Sequence, residues 1–147
     1  MSRVQLALNV DDLDAAIAFY GRLFDTQPAK VRPGYANFAV ADPPLKLILF
    51  ENRGHPGTLN HLGVEVETTE EVTAAQRRLT SEGLATLPED DVECCYARQD
   101  KIWVGDPAGT PWEIYTVVAD VEHPIGELRN TSPSAELGCG PDNEACC

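Results

Sequence analysis

Two adjacent cysteines, Cys94 and Cys95, are the residues of this chain whose type and spacing most favour chemistry. Thiolates select soft metal ions and metalloids. Adjacent cysteines make poor disulfide partners, because their Cα atoms lie only about 3.8 Å apart across a trans peptide. A free cysteine is often a small buried apolar residue, and that alternative stays open. The polar surroundings of the pair, in EDDVECCYARQD, favour instead a site that binds one soft ion or metalloid.

Three polar side chains, those of Gln5, His61 and Glu113, fall opposite the apolar face of alternating segments. If the sheet curls around that face, the three side chains should meet in a cavity. One nitrogen donor and two oxygen donors suit Fe(II), Mn(II) and similar ions. Two alternatives remain open. His61 could be a hydrogen-bonded core residue, and Glu113 could pair with Lys46 or Lys101.

The elements that must position these residues follow from apolar periodicity and from turn residues. We predict helices over residues 13–24 and from residue 68 to about residue 83, the second opened by a capping box. We predict strands over residues 3–10, 29–32, 35–40, 45–51, 60–66, 101–105 and 112–118.

The second half of the sequence repeats the first. QLALNV, which begins at Gln5, aligns with HLGVEV, which begins at His61, so the two residues should be equivalent and approach each other. The Asp42-Pro43 turn aligns with Asp106-Pro107 at a shift that has grown by eight residues. The extra residues lie between the second helix and this turn, and they include the cysteine pair. We therefore predict an inserted functional loop that carries the thiols.

Length and charge limit the remaining possibilities. The 147 residues suit one domain, which we place at residues 1–120 with modules of about 1–52 and 58–120. Residues 121–147 are rich in Pro, Gly and acids, and we expect a flexible, cysteine-containing acidic tail. A net charge of −13 argues against nucleic acid and anionic membranes as partners. Five cysteines without a signal segment or membrane span suggest a reducing cytoplasm and free thiols.

Several of these segments carry a resemblance to a known family. Two β-α-β-β-β units with Gln5, His61 and Glu113 at the ligand positions resemble the vicinal oxygen chelate superfamily. VQLALNVDDLDAAIAFY, PGYANFAVADPPLKLILFEN, GTLNHLGVEVE and ECCYARQDKIWVGDPAGTPWEIYTV are similar to the organoarsenical carbon–arsenic lyases within it, which are also called cadmium-induced proteins. The resemblance covers roughly residues 2–120. It implies an α+β fold in which two βαβββ modules form a rolled, barrel-like mixed sheet with the helices outside.

The resemblance also implies an activity. Gln5, His61 and Glu113 would hold Fe(II), while Cys94 and Cys95 would exchange for the hydroxyls of a trivalent organoarsenical. O₂ and Fe(II) would then support cleavage of the carbon–arsenic bond, with release of arsenite. We expect a monomer or a homodimer. Two alternatives remain: a cytosolic thiol protein that sequesters Cd(II) or As(III), and a glyoxalase-like enzyme that uses Mn(II), Zn(II) or Ni(II).

Overall fold

The computed structural model describes residues 1–94 and 96–121, and within them the chain forms eight strands and two helices. In chain order these are β1 (Arg3–Val10), α1 (Leu13–Leu23), β2 (Lys30–Arg32), β3 (Tyr35–Val40), β4 (Leu45–Glu51), β5 (Leu59–Glu65), α2 (Thr69–Ser81), β6 (Leu87–Cys94), β7 (Ala97–Gly105) and β8 (Pro111–Asp120). Neither helix has the length and apolar character needed to cross a membrane.

All eight strands belong to one mixed sheet, in the order β2-β3-β4-β1-β5-β8-β7-β6. The first strands of the two modules, β1 and β5, are antiparallel neighbours at its centre. Each of them also pairs in parallel with the last strand of its own module, β1 with β4 and β5 with β8. The α+β prediction of two βαβββ modules sharing a rolled mixed sheet is therefore confirmed.

Side-chain caps start both helices. The carboxylate of Asp12 accepts a hydrogen bond from the backbone N–H of Ala15 at 2.9 Å. Thr68 and Glu71 form the predicted capping box. Beyond these caps the helices pack on one face of the sheet in two apolar clusters, centred on Leu13 and Val72. That packing leaves the opposite face free to enclose a cavity.

The prediction that the extra residues of the second module form an inserted loop is wrong. The extra residues of the second module instead lengthen a hairpin: β6 has 8 residues where β2 has 3, and β7 has 9 where β3 has 6. Cys94 is the last residue of β6, and Ala97 pairs with it at the start of β7. The edge strand β6 is paired with β7 as far as Cys94. Cys94 therefore lies at the end of a strand and not in an inserted loop. The predictions for Cys95 and for the tail beyond Val121 concern residues outside the described part of the chain.

Candidate active site

A row of paired residues crosses the middle of the sheet. Lys46 of β4 pairs with Gln5 of β1, Gln5 pairs with Gly63 of β5, and Gly63 pairs with Glu113 of β8. Paired residues point to the same face, and Gly63 has no side chain to fill the space between its neighbours. A Cβ atom on Gly63 would lie 2.9 Å from Cγ of Glu113. The glycine thus allows the side chains of Gln5 and Glu113 to meet across β5.

His61 joins this pair from the next position on the same face of β5, two residues before Gly63. Nε2 of Gln5 lies 3.0 Å from Nε2 of His61 and 2.5 Å from Oε1 of Glu113. Nε2 of His61 lies 3.4 Å from the same carboxylate oxygen. All three side chains are buried, at 1%, 2% and 3% exposure. The structure brings together the three side chains that strand alternation predicted to converge.

A chain of amides fixes the tautomer of His61. Nδ2 of Asn60 donates to Oδ1 of Asn9 at 3.1 Å, so the remaining Oδ1 of Asn60 faces Nδ1 of His61, 2.8 Å away. An amide oxygen can only accept, and therefore Nδ1 of His61 carries the proton. The lone pair of Nε2 is then directed at Gln5 and Glu113. Hydrogen bonding of the second ring nitrogen is the usual support of a metal-binding histidine.

Glu113 is held from its other side by a buried cation. Nζ of Lys101, itself 1% exposed, donates to Oε2 of Glu113 at 3.0 Å, which leaves Oε1 directed at His61 and Gln5. Burial alone would raise the pKa of Glu113. The charge of Lys101 is the largest effect that opposes burial, and this pKa is held well below its ordinary value. Of the two alternative partners left open for Glu113, Lys101 is therefore the one observed, whereas Lys46 pairs with Glu65 at 2.8 Å.

Tyr115 connects Gln5 to a second carboxylate. Its hydroxyl contacts Oε1 of Gln5 and lies 2.8 Å from Oε2 of Glu65. Burial opposes ionisation of Glu65, but the charge and hydrogen bond of Lys46 dominate and lower its pKa, so Glu65 is an anion that only accepts. Burial, then the charges of Glu113 and Glu65, raises the pKa of Tyr115, which stays protonated. As the structure stands, the hydroxyl donates to Oε1 of Gln5. If the amide of Gln5 turns, the phenol proton can go to Glu65 and the phenol oxygen can accept from the NH₂ group of Gln5.

These donors fit a divalent first-row metal ion. Donors bound at about 2.1 Å with right angles between them lie about 3 Å apart, close to the separations observed. Gln5 would bind through its oxygen, which requires its amide to turn so that the NH₂ group faces Tyr115. The described residues contain no group of three His, Cys, Asp or Glu side chains that could hold a metal, and Gln5 is not one of these residue types. The assignment of Gln5, His61 and Glu113 as ligands remains a prediction.

Cys94 lines the same cavity, of about 290 Å³, as Gln5, His61 and Glu113. It is 5% exposed and belongs to an apolar cluster that comprises Ala7, Tyr35, Ile48, Phe50, Cys94 and Tyr96. In this structure Cys94 is disulfide-bonded. The expectation of free thiols is therefore wrong for Cys94, because its sulfur lies within bonding reach of a second sulfur. Thiol-dependent binding needs this bond to be reduced first.

Sequence reasoning missed the residues that support the donors. Gly63 carried a usable signal, because a glycine inside a strand often marks a close approach of neighbouring groups. Asn60 and Tyr115 gave no such signal, since a polar residue and a tyrosine are both ordinary in a strand. Gln99, which lines the cavity from β7, was also missed because it resembles an ordinary solvent-facing residue.

Comparisons with known proteins agree with this geometry. The sequence model of the Glyoxalase/Bleomycin resistance protein/Dioxygenase superfamily matches residues 3–114. The Cadmium-induced protein CadI of Mycobacterium tuberculosis is 65% identical over 122 residues, which cover 83% of this chain and 80% of that protein. The Trivalent organoarsenical cleaving enzyme of Thermomonospora curvata is 62% identical over 123 residues, covering 83% and 82%.

A solved structure, the Mn(II)-bound glyoxalase of Novosphingobium aromaticivorans, has the same fold with a TM-score of 0.58 at 20% identity. The match covers 82% of this chain and 42% of the glyoxalase chain, in line with a two-module unit inside a longer protein. The family match and the two close relatives show that this chain belongs to the Glyoxalase/Bleomycin resistance protein/Dioxygenase superfamily.

Proposed function

We propose that this protein is a cytoplasmic enzyme that cleaves the carbon–arsenic bond of trivalent organoarsenicals with Fe(II) and O₂. One observation carries the proposal: Cys94 opens onto the same cavity as the convergent donors of Gln5, His61 and Glu113. A soft sulfur beside an N,O-donor site can hold arsenic while a metal ion is bound next to it. The name of the Thermomonospora curvata relative supports this choice of substrate.

The donor set suits Fe(II), which when bound supplies activation of O₂. His61 offers Nε2 because Asn60 occupies its Nδ1 proton. Glu113 offers Oε1 because Lys101 occupies Oε2. Gln5 offers its oxygen once Tyr115 accepts from the amide NH₂ group. Each donor is thus oriented by a buried partner, and little reorganisation is needed when the ion binds.

The thiols position the substrate. In reduced protein, Cys94 and Cys95 each exchange their S–H for one As–OH of the trivalent arsenical, and each exchange releases one water. The organic substituent stays on arsenic and extends into the cavity. The rings of Phe50 and Trp103 flank His61, with centroids at 6.4 Å and 5.4 Å from the imidazole, and they limit the access of water to that ring.

The test is single-turnover incubation of reduced, Fe(II)-loaded protein with methylarsonous acid, with and without O₂, followed by arsenic speciation. We expect arsenite only when O₂ is present. Glu113→Gln should abolish turnover and weaken Fe(II) binding by at least about 100-fold, whereas Glu82→Gln, the same change at an exposed helix end, should alter neither. Arsenite formation without O₂, or full activity in Glu113→Gln, would contradict the proposal.

A second candidate function, thiol sequestration of Cd(II), is favoured by the cadmium-induced relative. It requires cysteines and has no use for the buried donors. Anaerobic Cd(II) titration separates the two functions. Sequestration predicts tight Cd(II) binding that Cys94→Ser abolishes and Glu113→Gln leaves unchanged, together with no arsenite release under any condition.

A further inference from the structure

One buried polar atom of the cavity wall has no hydrogen-bond partner. Within residues 1–94 and 96–121, it is Oε1 of Gln99, and the residue is 5% exposed. Buried amide oxygens are almost always hydrogen-bonded, so an orphaned one needs an explanation. Gln99 lines the same cavity as Cys94, His61 and Glu113. A cavity-wall acceptor without a partner is what a ligand that carries a donor would satisfy.

The position of Gln99 relates it to both parts of the site. Ala97, Gln99 and Lys101 alternate along β7, so they share the cavity face of this strand. Ala97 pairs with Cys94, and Lys101 bonds Glu113. Gln99 therefore lies on the wall between the level of the sulfur and the level of the carboxylate. A substituent on arsenic bound at Cys94 would pass along this wall.

We propose that Gln99 is a specificity-determining residue that accepts a hydrogen bond from an amino or hydroxyl group on the organic substituent of the arsenical. This inference rests on the proposed function. If two thiols bridge arsenic, both As–OH groups have been exchanged, and the donors left on the substrate are those of its organic group. The favoured substrate class is then aryl arsenicals that bear an N–H or O–H donor.

Rigidity of the wall supports this role. Gln99 pairs with Val92 of β6 and Val117 of β8, beside a register shift in the β7–β8 ladder. Strands on both sides hold its backbone, and an irregularity of this kind re-aims a side chain next to a site. The place of Gln99 on the cavity wall is thus fixed by the sheet before any substrate arrives.

The experiment compares two ligands that differ by one donor, phenylarsonous acid and 4-aminophenylarsonous acid, on reduced full-length protein. Dissociation constants are measured anaerobically by calorimetry, so that binding is read without turnover. We expect the amino compound to bind about tenfold more tightly to the unchanged protein, the effect of one hydrogen bond to an otherwise unpaired amide. In Gln99→Met, which keeps the length and removes the acceptor, this preference should fall below about threefold.

A matched variant, Gln76→Met on α2, makes the same chemical change away from the cavity and should keep the preference. The Tm of Gln99→Met without ligand should stay equal or rise, since an unsatisfied atom has been removed. If Gln99→Met fails to fold, Gln99→Asn withdraws the amide by one methylene and should lose the preference equally.

Equal binding of the two ligands to the unchanged protein, or a full preference in Gln99→Met, would overturn the role of Gln99. A fall in Tm of Gln99→Met with the preference intact would make the residue merely structural. Failure of the unchanged protein to bind either ligand after reduction would instead overturn the proposed function itself. The two failures are therefore distinguishable.

Discussion

Gly63→Ala is a minimal substitution. It tests whether the space left by Gly63 on β5 is what allows the side chains of Gln5 and Glu113 to meet. A Cβ atom at Gly63 would meet Cγ of Glu113 at 2.9 Å, the backbone oxygen of Glu113 at 3.2 Å and Cβ of Gln5 at 3.4 Å. An ordinary contact begins near 3.4 Å, so Cγ of Glu113 must retreat by about 0.5 Å. The carboxylate at the end of that side chain is bonded to Lys101, so Cγ cannot move independently of it. Displacement of Cγ therefore changes the position of the carboxylate relative to His61.

The expected magnitude has two parts. Overpacking of a rigid interior costs about 1–3 kcal/mol, offset by up to about 1 kcal/mol from the lower chain entropy of unfolded alanine. For a chain of this size we expect a Tm lower by up to about 10 °C. Displacement of a ligand and its support weakens metal affinity by about 10- to 100-fold.

The assay is anaerobic Fe(II) titration beside thermal unfolding, with Gly21→Ala as the matched control. A Cβ atom at Gly21, on α1, would meet the backbone oxygen of Thr26 at an ordinary 3.4 Å. Alanine is favoured over glycine inside a helix, so the control should raise Tm slightly and leave Fe(II) affinity unchanged. An Fe(II) affinity of Gly63→Ala within threefold of the unchanged protein would refute the reasoning. The donors would then bind the ion equally well with a side chain between Gln5 and Glu113.

The remaining predictions concern the supports of the donors and the tail. Tyr115→Phe removes the acceptor for the turned amide of Gln5 and should weaken Fe(II) binding about tenfold in titrations, and the loss should vanish in a Gln5→Glu background. Lys101→Met leaves the buried carboxylate of Glu113 without its cation. It should lower the free energy of unfolding of the metal-free protein by about 3–5 kcal/mol, measured by urea unfolding. Added Fe(II) should restore more stability to this variant than to the unchanged protein. Truncation after residue 121 should leave Tm and turnover unchanged, and unfolding of the shortened chain would contradict the domain boundary.

The sequence was sufficient for the parts of the fold that alternate between apolar and polar residues. β1 and β5 have one packed face each, and their phase placed Gln5 and His61 on the cavity side. β6 escaped prediction because it is an edge strand whose PEDDVE segment keeps several charged side chains in solvent. Charge of this kind is how edge strands avoid aggregation, and it conceals the strand from any search for alternating apolar residues.

The supports of the site were harder to predict, because they depend on which residues become neighbours across strands. Glu113 and Lys101 are 12 residues apart, and only the β7–β8 register brings them together. Tyr115 lies two residues after Glu113 and therefore on the same face of β8, but its contact with Gln5 spans 110 residues. The alternation of residues along a strand determines which face of the sheet a side chain lies on. Its partners across the sheet depend on the pairing register of the strands and on the curl of the sheet.

The curl of the sheet brings Cys94 into the same cavity as Gln5, His61 and Glu113, although the hairpin that carries Cys94 lies at the edge of the sheet. Cys94 is on an edge strand of the second module, yet it packs in one cluster with Ala7 and Phe50 of the first module. Ala7 pairs with His61, and the ring of Phe50 faces the imidazole. The two modules therefore contribute different groups to the cavity. The second provides the sulfur, His61 and Glu113, and the first provides one donor and the wall against which the sulfur is held.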